Sequence, residues 1–129
     1  MYDVLIVDDE EDIGDFLCQV LEQIHLKGKF VVTGEEAVRL VDEHDFKLMI
    51  VDLKLSTTMT GLDVIQKVSE RRPKMKIVAM SGYVDMGMKQ QAEKFGVIDY
   101  LEKPIDLRTE VFLKKVGTLL GSEEKGTGD

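Results

Sequence analysis

The sequence predicts an α/β fold, five parallel strands with helices on both faces of the sheet. Three observations carry this reading. Short apolar runs alternate with segments of helical periodicity along the whole chain. Two of the runs, Val4-Leu5-Ile6-Val7 and Leu48-Met49-Ile50-Val51, contain no polar residue, the pattern of strands covered on both faces. Both end on a carboxylate, Asp8 and Asp52, at the strand edge where open α/β sheets build their sites. A chain of 129 residues fits one such domain, and each crossover between parallel strands should be right-handed.

The first strand runs from Met1 to Asp8 and opens onto Asp8-Asp9-Glu10-Glu11-Asp12. Negative charge is favoured in the first turn of a helix, which accounts for Glu10, Glu11 and Asp12. It accounts poorly for two aspartates at the mouth of a buried strand. Ile13, Phe16, Leu17, Val20, Leu21 and Ile24 recur at helical spacing and predict the first helix, with Gly28 as its stop. Lys29 to Thr33 is a short, more polar strand at an edge, and Gly34-Glu35 open a second helix carrying Ala37, Val38 and Val41.

After the third strand, Leu48 to Asp52, comes a hydroxyl-rich loop from Lys54 to Gly61, in which Thr57, Thr58 and Thr60 read as solvated. Leu62, Val64, Ile65 and Val68 mark a third helix that Arg72-Pro73 ends. Lys76 to Ser81 is a fourth strand and Gly82 its turn. Residues 85–95 form a fourth helix of weaker pattern, closed by Gly96. Val97 to Leu101 makes the fifth strand, followed by Lys103-Pro104, and a last helix carries Leu107, Val111, Phe112, Val116 and Leu119. Gly121 to Asp129 consists of small, polar and charged residues and reads as a flexible tail or the start of a linker, so that the domain covers residues 1–120.

Composition narrows the function. A net charge of −8 argues against nucleic-acid backbone or anionic membrane as a direct partner. No apolar run approaches the ~20 residues of a membrane span, and the N-terminus carries no export pattern, so a cytoplasmic protein is expected. Cys18 is the single cysteine, a small helix residue with no internal disulfide partner. His25 and His44 lie near helix ends without cysteine or histidine at ligand spacing, so neither reads as a metal ligand. Met75, Met80, Met86 and Met88 cluster around the fourth helix and read as core filling.

Parallel strands place all their C-terminal ends on one edge. Asp8 and Asp9, Asp52, Ser81 and Lys103 therefore meet there. Carboxylates brought together repel one another and lose water on burial, so positive charge must compensate. Lys103 supplies one charge, and a hard divalent ion such as Mg²⁺, bound through oxygen, would supply more. The same parts suit phosphoryl transfer. A carboxylate can act as nucleophile and form an acyl phosphate, an ammonium and a cation neutralise its equatorial oxygens, and the Ser81 hydroxyl can hydrogen-bond one of them.

On these residues the chain resembles the receiver domains of two-component response regulators, over about residues 2–120. The matching pieces are Val4-Leu5-Ile6-Val7-Asp8-Asp9-Glu10, Leu48-Met49-Ile50-Val51-Asp52, Gly61-Leu62-Asp63-Val64-Ile65, Val78-Ala79-Met80-Ser81-Gly82 and Asp99-Tyr100-Leu101-Glu102-Lys103-Pro104. The resemblance implies a flavodoxin-like sheet in the order 2-1-3-4-5. It implies that Asp52 takes a phosphoryl group from a phosphohistidine on a sensor histidine kinase or phosphotransfer protein. It also implies that Asp8, Asp9, Asp52 and the Lys54 carbonyl arrange Mg²⁺, and that the peptide before Pro104 is cis. It implies that Ser81 and Tyr100 form a switch, in which the hydroxyl moves toward the phosphoryl group and the aromatic turns inward behind it. The face formed by the fourth helix, fifth strand and fifth helix would then change toward an output protein, an effector domain or a phosphorylation-dependent dimer partner. Such a domain is a phosphorylated signalling module that assists its own phosphorylation and dephosphorylation rather than an enzyme with a separate substrate.

Two features depart from the family pattern. The loop from Asp52 to Gly61 is one residue longer than usual, and Ser56 stands where proline is common. Lys54 and Tyr83 each lie two residues beyond a site residue and are bulky enough to cover a phosphoryl group. A haloacid-dehalogenase-type enzyme would need an acid where Lys54 stands, and a nucleotide module would not place five acidic residues after its first strand. A receiver-like docking module without phosphorylation is the remaining alternative.

Overall fold

The computed structural model describes residues 2–56, 58–82, 86–103 and 109–128, the last eight of them as backbone. Strands β1 (Val4–Val7), β2 (Gly28–Val31), β3 (Leu48–Asp52), β4 (Lys76–Ser81) and β5 (Asp99–Glu102) alternate with helices α1 (Glu11–Glu22), α2 (Gly34–Glu43), α3 (Gly61–Arg71), α4 (Met86–Lys94) and α5 (Thr109–Gly128). The strands pair in parallel in the order β2-β1-β3-β4-β5. This is the order the receiver resemblance implies.

The central strands explain why apolar runs without alternation were needed. Val4, Ile6, Leu48, Ile50, Val78 and Met80 face one layer, where Leu17 and Leu21 of α1 and Phe112 and Val116 of α5 cover them. Leu5, Val7, Met49, Val51, Ile77 and Ala79 face the other, beneath Ala37 and Val41 of α2, Val64, Ile65 and Val68 of α3, and Ala92 of α4. Successive residues of one strand thus enter two separate cores, and Leu48 to Val51 are 0% exposed.

Several expectations change at this level. Gly28 does not stop α1. The helix ends at Glu22, and the chain turns through His25, whose φ is 61°. Gly28 opens β2, where an added Cβ would stand 3.1 Å from Cys18 Sγ and from Leu21 Cδ1, so close packing of β2 against α1 explains the glycine. The stretch from Gly121, expected as a tail, continues α5 to Gly128. Glu123, Glu124 and Lys125 are sound helix formers, which weighs against reading the composition as tail. Of the four methionines, Met80 is buried and Met75 and Met88 pack on the core, whereas Met86 is 62% exposed and fills nothing. Thr60 is no idle loop residue. Its hydroxyl accepts the Asp63 N–H at 3.2 Å while Asp63 accepts the Thr60 N–H at 3.0 Å, a capping box that starts α3. Thr57, Tyr83, Pro104 with its expected cis peptide, and Leu107 lie outside the described residues.

At the N-terminal end of the sheet Asp3 stitches three segments together. Its carboxylate accepts the Lys27 N–H at 2.8 Å, its carbonyl accepts the Lys47 N–H at 2.8 Å, and Lys47 Nζ lies 3.7 Å from its other oxygen. Tyr2 stacks on Phe46 at 6.2 Å, meets His44 edge-on at 6.0 Å, and has Lys27 Nζ 5.3 Å from its ring centre.

Candidate phosphoacceptor site

At the opposite end the strands deliver charge. Asp8 follows β1 and is 0% exposed, and Asp52 ends β3 at 3%. Lys103 follows β5 and reaches back across the edge, its Nζ 2.8 Å from Asp8 Oδ2, 2.8 Å from Asp52 Oδ2 and 3.1 Å from Glu10 Oε1. The other carboxylate oxygens are held by backbone. Asp8 Oδ1 accepts the Glu10 N–H at 2.9 Å, and Asp52 Oδ1 accepts the Lys54 N–H at 2.8 Å.

One ammonium thus faces three carboxylates. Burial pushes the Asp8 carboxyl above the ordinary aspartate range, more than the Lys103 ammonium and the Glu10 N–H pull it down. Burial by itself would lower the Lys103 ammonium, yet hydrogen bonds to Asp52 and Asp8 outweigh it and hold the group above the usual lysine range. Lys103 is therefore cationic at any ordinary pH. Apart from that ion pair, Asp8 Oδ2 is a buried oxygen without a hydrogen-bond partner among the described residues. Ligand oxygens of Asp8, Glu10 and Asp52 lie within 4.8 Å of one another. A surplus of negative charge and an oxygen-only donor set fit a hard divalent cation.

Local structure fixes this geometry. Gly61, the first residue of α3, sits where a Cβ would be 2.2 Å from the Asp52 carbonyl oxygen and 2.7 Å from Leu53 Cα. Both neighbours are backbone, so α3 can start against the end of β3 only with glycine there. Across the edge, the Leu53 N–H donates to the Met80 carbonyl at 2.9 Å and the Lys103 N–H to the Ser81 carbonyl at 3.0 Å. The ends of β3, β4 and β5 are thereby laced together.

The expected residues divide by position. Asp8, Asp52 and Lys103 meet directly, and Ser81 comes to the same edge, partly buried, through its backbone bond to Lys103. Lys54 contributes its N–H to Asp52 and has an exposed side chain. Tyr100 lies to the side, on β5. Its hydroxyl donates to the Lys89 carbonyl of α4 at 2.8 Å, Lys89 Nζ stands 4.8 Å from its ring centre, and its carbonyl accepts from Lys115 Nζ of α5 at 2.7 Å. Asp9 is not one of the grouped carboxylates and is held by the loop after β3. Both the backbone N–H of Ser56, at 3.1 Å, and the Ser56 hydroxyl donate to Asp9 Oδ2. The hydroxyl bond is the main reason that Asp9 ionises below the ordinary range.

Two participants were missed in the sequence. Glu10 was assigned to the start of α1. It is the N-cap residue, yet its side chain makes no cap hydrogen bond and turns to Lys103 instead. The signal was its place two residues beyond Asp8, where an aspartate commonly binds the backbone N–H. Ser56 meets Asp9 across 47 residues of chain, and no local pattern announces such a contact.

Comparison with known proteins identifies the family. The family model described as "Response regulator receiver domain" matches residues 4–112. An NtrX-like response regulator of Rickettsia bellii is 32% identical over 116 residues, which is 89% of this chain and 24% of that protein. The response regulator protein PilR of Pseudomonas aeruginosa is 34% identical over 103 residues, 80% of this chain and 23% of the relative. The chain thus spans about a quarter of the length of these relatives. Among solved structures, a CheY-like response regulator receiver domain protein from Methanospirillum hungatei superposes with a TM-score of 0.89 at 28% identity, covering 98% of both chains. A Burkholderia pseudomallei response regulator, solved with a phosphorylated aspartic acid and a calcium ion, gives a TM-score of 0.77 at 25% identity over 100% of this chain and 76% of its own. With its sheet order, its paired Asp8 and Asp52 and the reach of Lys103 all in place, the chain belongs to the response regulator receiver domain family.

Proposed function

We propose that Asp52 is the phosphoacceptor of a two-component signalling domain, taking a phosphoryl group from a phosphohistidine on a sensor histidine kinase or phosphotransfer protein. One observation carries this reading. Asp52 is a buried carboxylate with one oxygen bound to the Lys54 N–H and the other to Lys103 Nζ. A carboxylate so held is aimed and cannot rotate freely, which is what an in-line attack on phosphorus requires. In that step an Asp52 oxygen forms the new P–O bond, the P–N bond to the imidazole breaks, and the imidazole takes up a proton. Lys103 then neutralises one phosphoryl oxygen and Ser81 hydrogen-bonds another. Asp8, Asp9, Asp52 and the Lys54 carbonyl are the residues that would hold Mg²⁺, whose charge would offset the phosphoryl oxygens. The Burkholderia relative, solved with both a phosphorylated aspartic acid and a calcium ion, supports an acceptor aspartate in a domain of this fold.

Signal output follows from the switch pair. Phosphorylation draws Ser81 toward the new oxygens, and Tyr100, linked to α4 through Lys89 and to α5 through Lys115, transmits the change to that face. The recipient is an output protein, an effector domain carried elsewhere in the same regulator, or a second copy in a phosphorylation-dependent dimer. The receiver unit is taken as residues 1–120, with Leu120 of α5 still buried in the core that α1 and α5 share. A cytoplasmic setting suits a kinase-fed domain, and no helix among the described residues is long and apolar enough to cross a membrane.

Intact mass after incubation with acetyl phosphate and Mg²⁺ tests the reading. A gain of about 80 Da in the wild type that requires Mg²⁺ and is absent from Asp52→Asn is expected. Equal gain in the variant would assign the phosphate elsewhere, and no gain from any phosphodonor would leave the docking-module alternative.

A further inference from the structure

We infer that Ser56 is a latch on the cation site, holding Asp9 out of it until a divalent cation draws the carboxylate across. The inference deepens the phosphoacceptor reading and rests on it. Three observations converge. First, Asp9 Oδ2 receives both donors of Ser56, the backbone N–H at 3.1 Å and the hydroxyl. Second, Asp9 is not among the carboxylates whose oxygens gather within 4.8 Å; Asp8, Glu10 and Asp52 make that group. Third, the buried Asp8 Oδ2 has no hydrogen-bond donor of its own and relies on an ammonium that two other carboxylates share. Asp9, which the phosphoacceptor reading enlists as a cation ligand, is thus engaged by the β3–α3 loop instead.

The consequence is a linkage between cation binding and the loop. Bringing Asp9 inward breaks its bonds to Ser56, and a cation binds more weakly by the free energy of that opening. Ser56 is thus a positioning residue that lowers cation affinity and ties it to the shape of the 53–60 loop. The loop lies between the phosphoacceptor Asp52 and the N-cap Thr60 of α3, so cation occupancy is felt where a phosphodonor must approach. The departure noted in the sequence, a serine where the family often carries proline, is the enabling feature, since proline offers neither donor.

Titration calorimetry with Mg²⁺ on the full chain tests this directly. Ser56→Ala removes the hydroxyl donor and should bind Mg²⁺ about three-fold or more tightly than the wild type. Thr58→Ala, in the same loop, should bind as the wild type does. In the wild type, saturating Mg²⁺ should speed hydrogen exchange at the Ser56 amide, because its acceptor has left. Equal or weaker Mg²⁺ binding by Ser56→Ala would overturn the latch while leaving the cation reading intact, as would a Ser56 amide whose exchange Mg²⁺ does not change. A wild type that binds no Mg²⁺ would overturn both.

Discussion

The two ends of the sheet are made from the same five strands and treat charge in opposite ways. At the N-terminal end Asp3 finds a backbone donor and a lysine, and Tyr2, His44 and Phe46 pack ring against ring beside β1 and β3. At the C-terminal end Asp8, Asp52 and Glu10 share the single ammonium of Lys103. The first arrangement gives both carboxylate oxygens of Asp3 a partner. The second is held in deficit by the surrounding fold, and a deficit of positive charge is what draws a cation to a site. The teaching of the pair is that stability and function are separable along one strand, with opposite ends assigned to each.

That separation can be broken most forcefully at Lys103. Replacing it by Met strands Asp8 and Asp52 as buried, uncompensated charges and should destabilise the cation-free protein by about 3–5 kcal/mol. Urea unfolding with and without Mg²⁺ would measure this, and Mg²⁺ should restore part of the loss. Phe46→Ala at the other end should cost about 3 kcal/mol while leaving Mg²⁺ affinity by calorimetry at the wild-type value. A changed affinity there would show that the two ends are coupled. Gly61→Ala should cost about 2 kcal/mol through its clash with the β3 backbone and, unlike Phe46→Ala, should also slow acetyl-phosphate labelling of Asp52.

Asp8→Asn should act in the opposite direction, stabilising the cation-free protein by about 1 kcal/mol while weakening Mg²⁺ binding. Its pH dependence has a defined sign. Burial raises the folded Asp8 carboxyl above its unfolded value of 3.8, so the folded wild type takes up a proton first as pH falls. The cost of the buried charge is present at neutral pH and is relieved between the raised value and 3.8. The advantage of Asp8→Asn should therefore shrink across that window in thermal melts. The smallest effect belongs to Arg71→Ala, which removes an exposed pair with Asp42 and should change stability by less than ~1 kcal/mol.

Much of this contrast was legible in the sequence because both ends rest on short-range patterns. Uninterrupted apolar runs announced β1 and β3, and parallel pairing carried Asp8, Asp52, Ser81 and Lys103 to one edge without any knowledge of strand order. The order itself came only with the family resemblance, since periodicity says nothing about which strand neighbours which. What stayed hidden was set by long-range approach. Gly28 read as a helix stop because glycine usually serves conformation, whereas here it admits the side chains of Cys18 and Leu21. Glu10 read as a helix-start residue because its contact to Lys103 spans 93 positions. Ser56 read as loop for the same reason.

The span between partners has a consequence for the living cell. Lys103 and Asp52 are 51 residues apart, and Asp8 is contributed by the other end of the chain. A chain still emerging from the ribosome, or one that has lost its fifth strand, has the aspartate but lacks the ammonium that faces it. On the phosphoacceptor reading proposed above, competence to receive a signal is confined to completely folded molecules. On that same reading misassembled copies stay silent instead of drawing phosphate away from working ones, and the chemistry acts as its own inspection of the finished product.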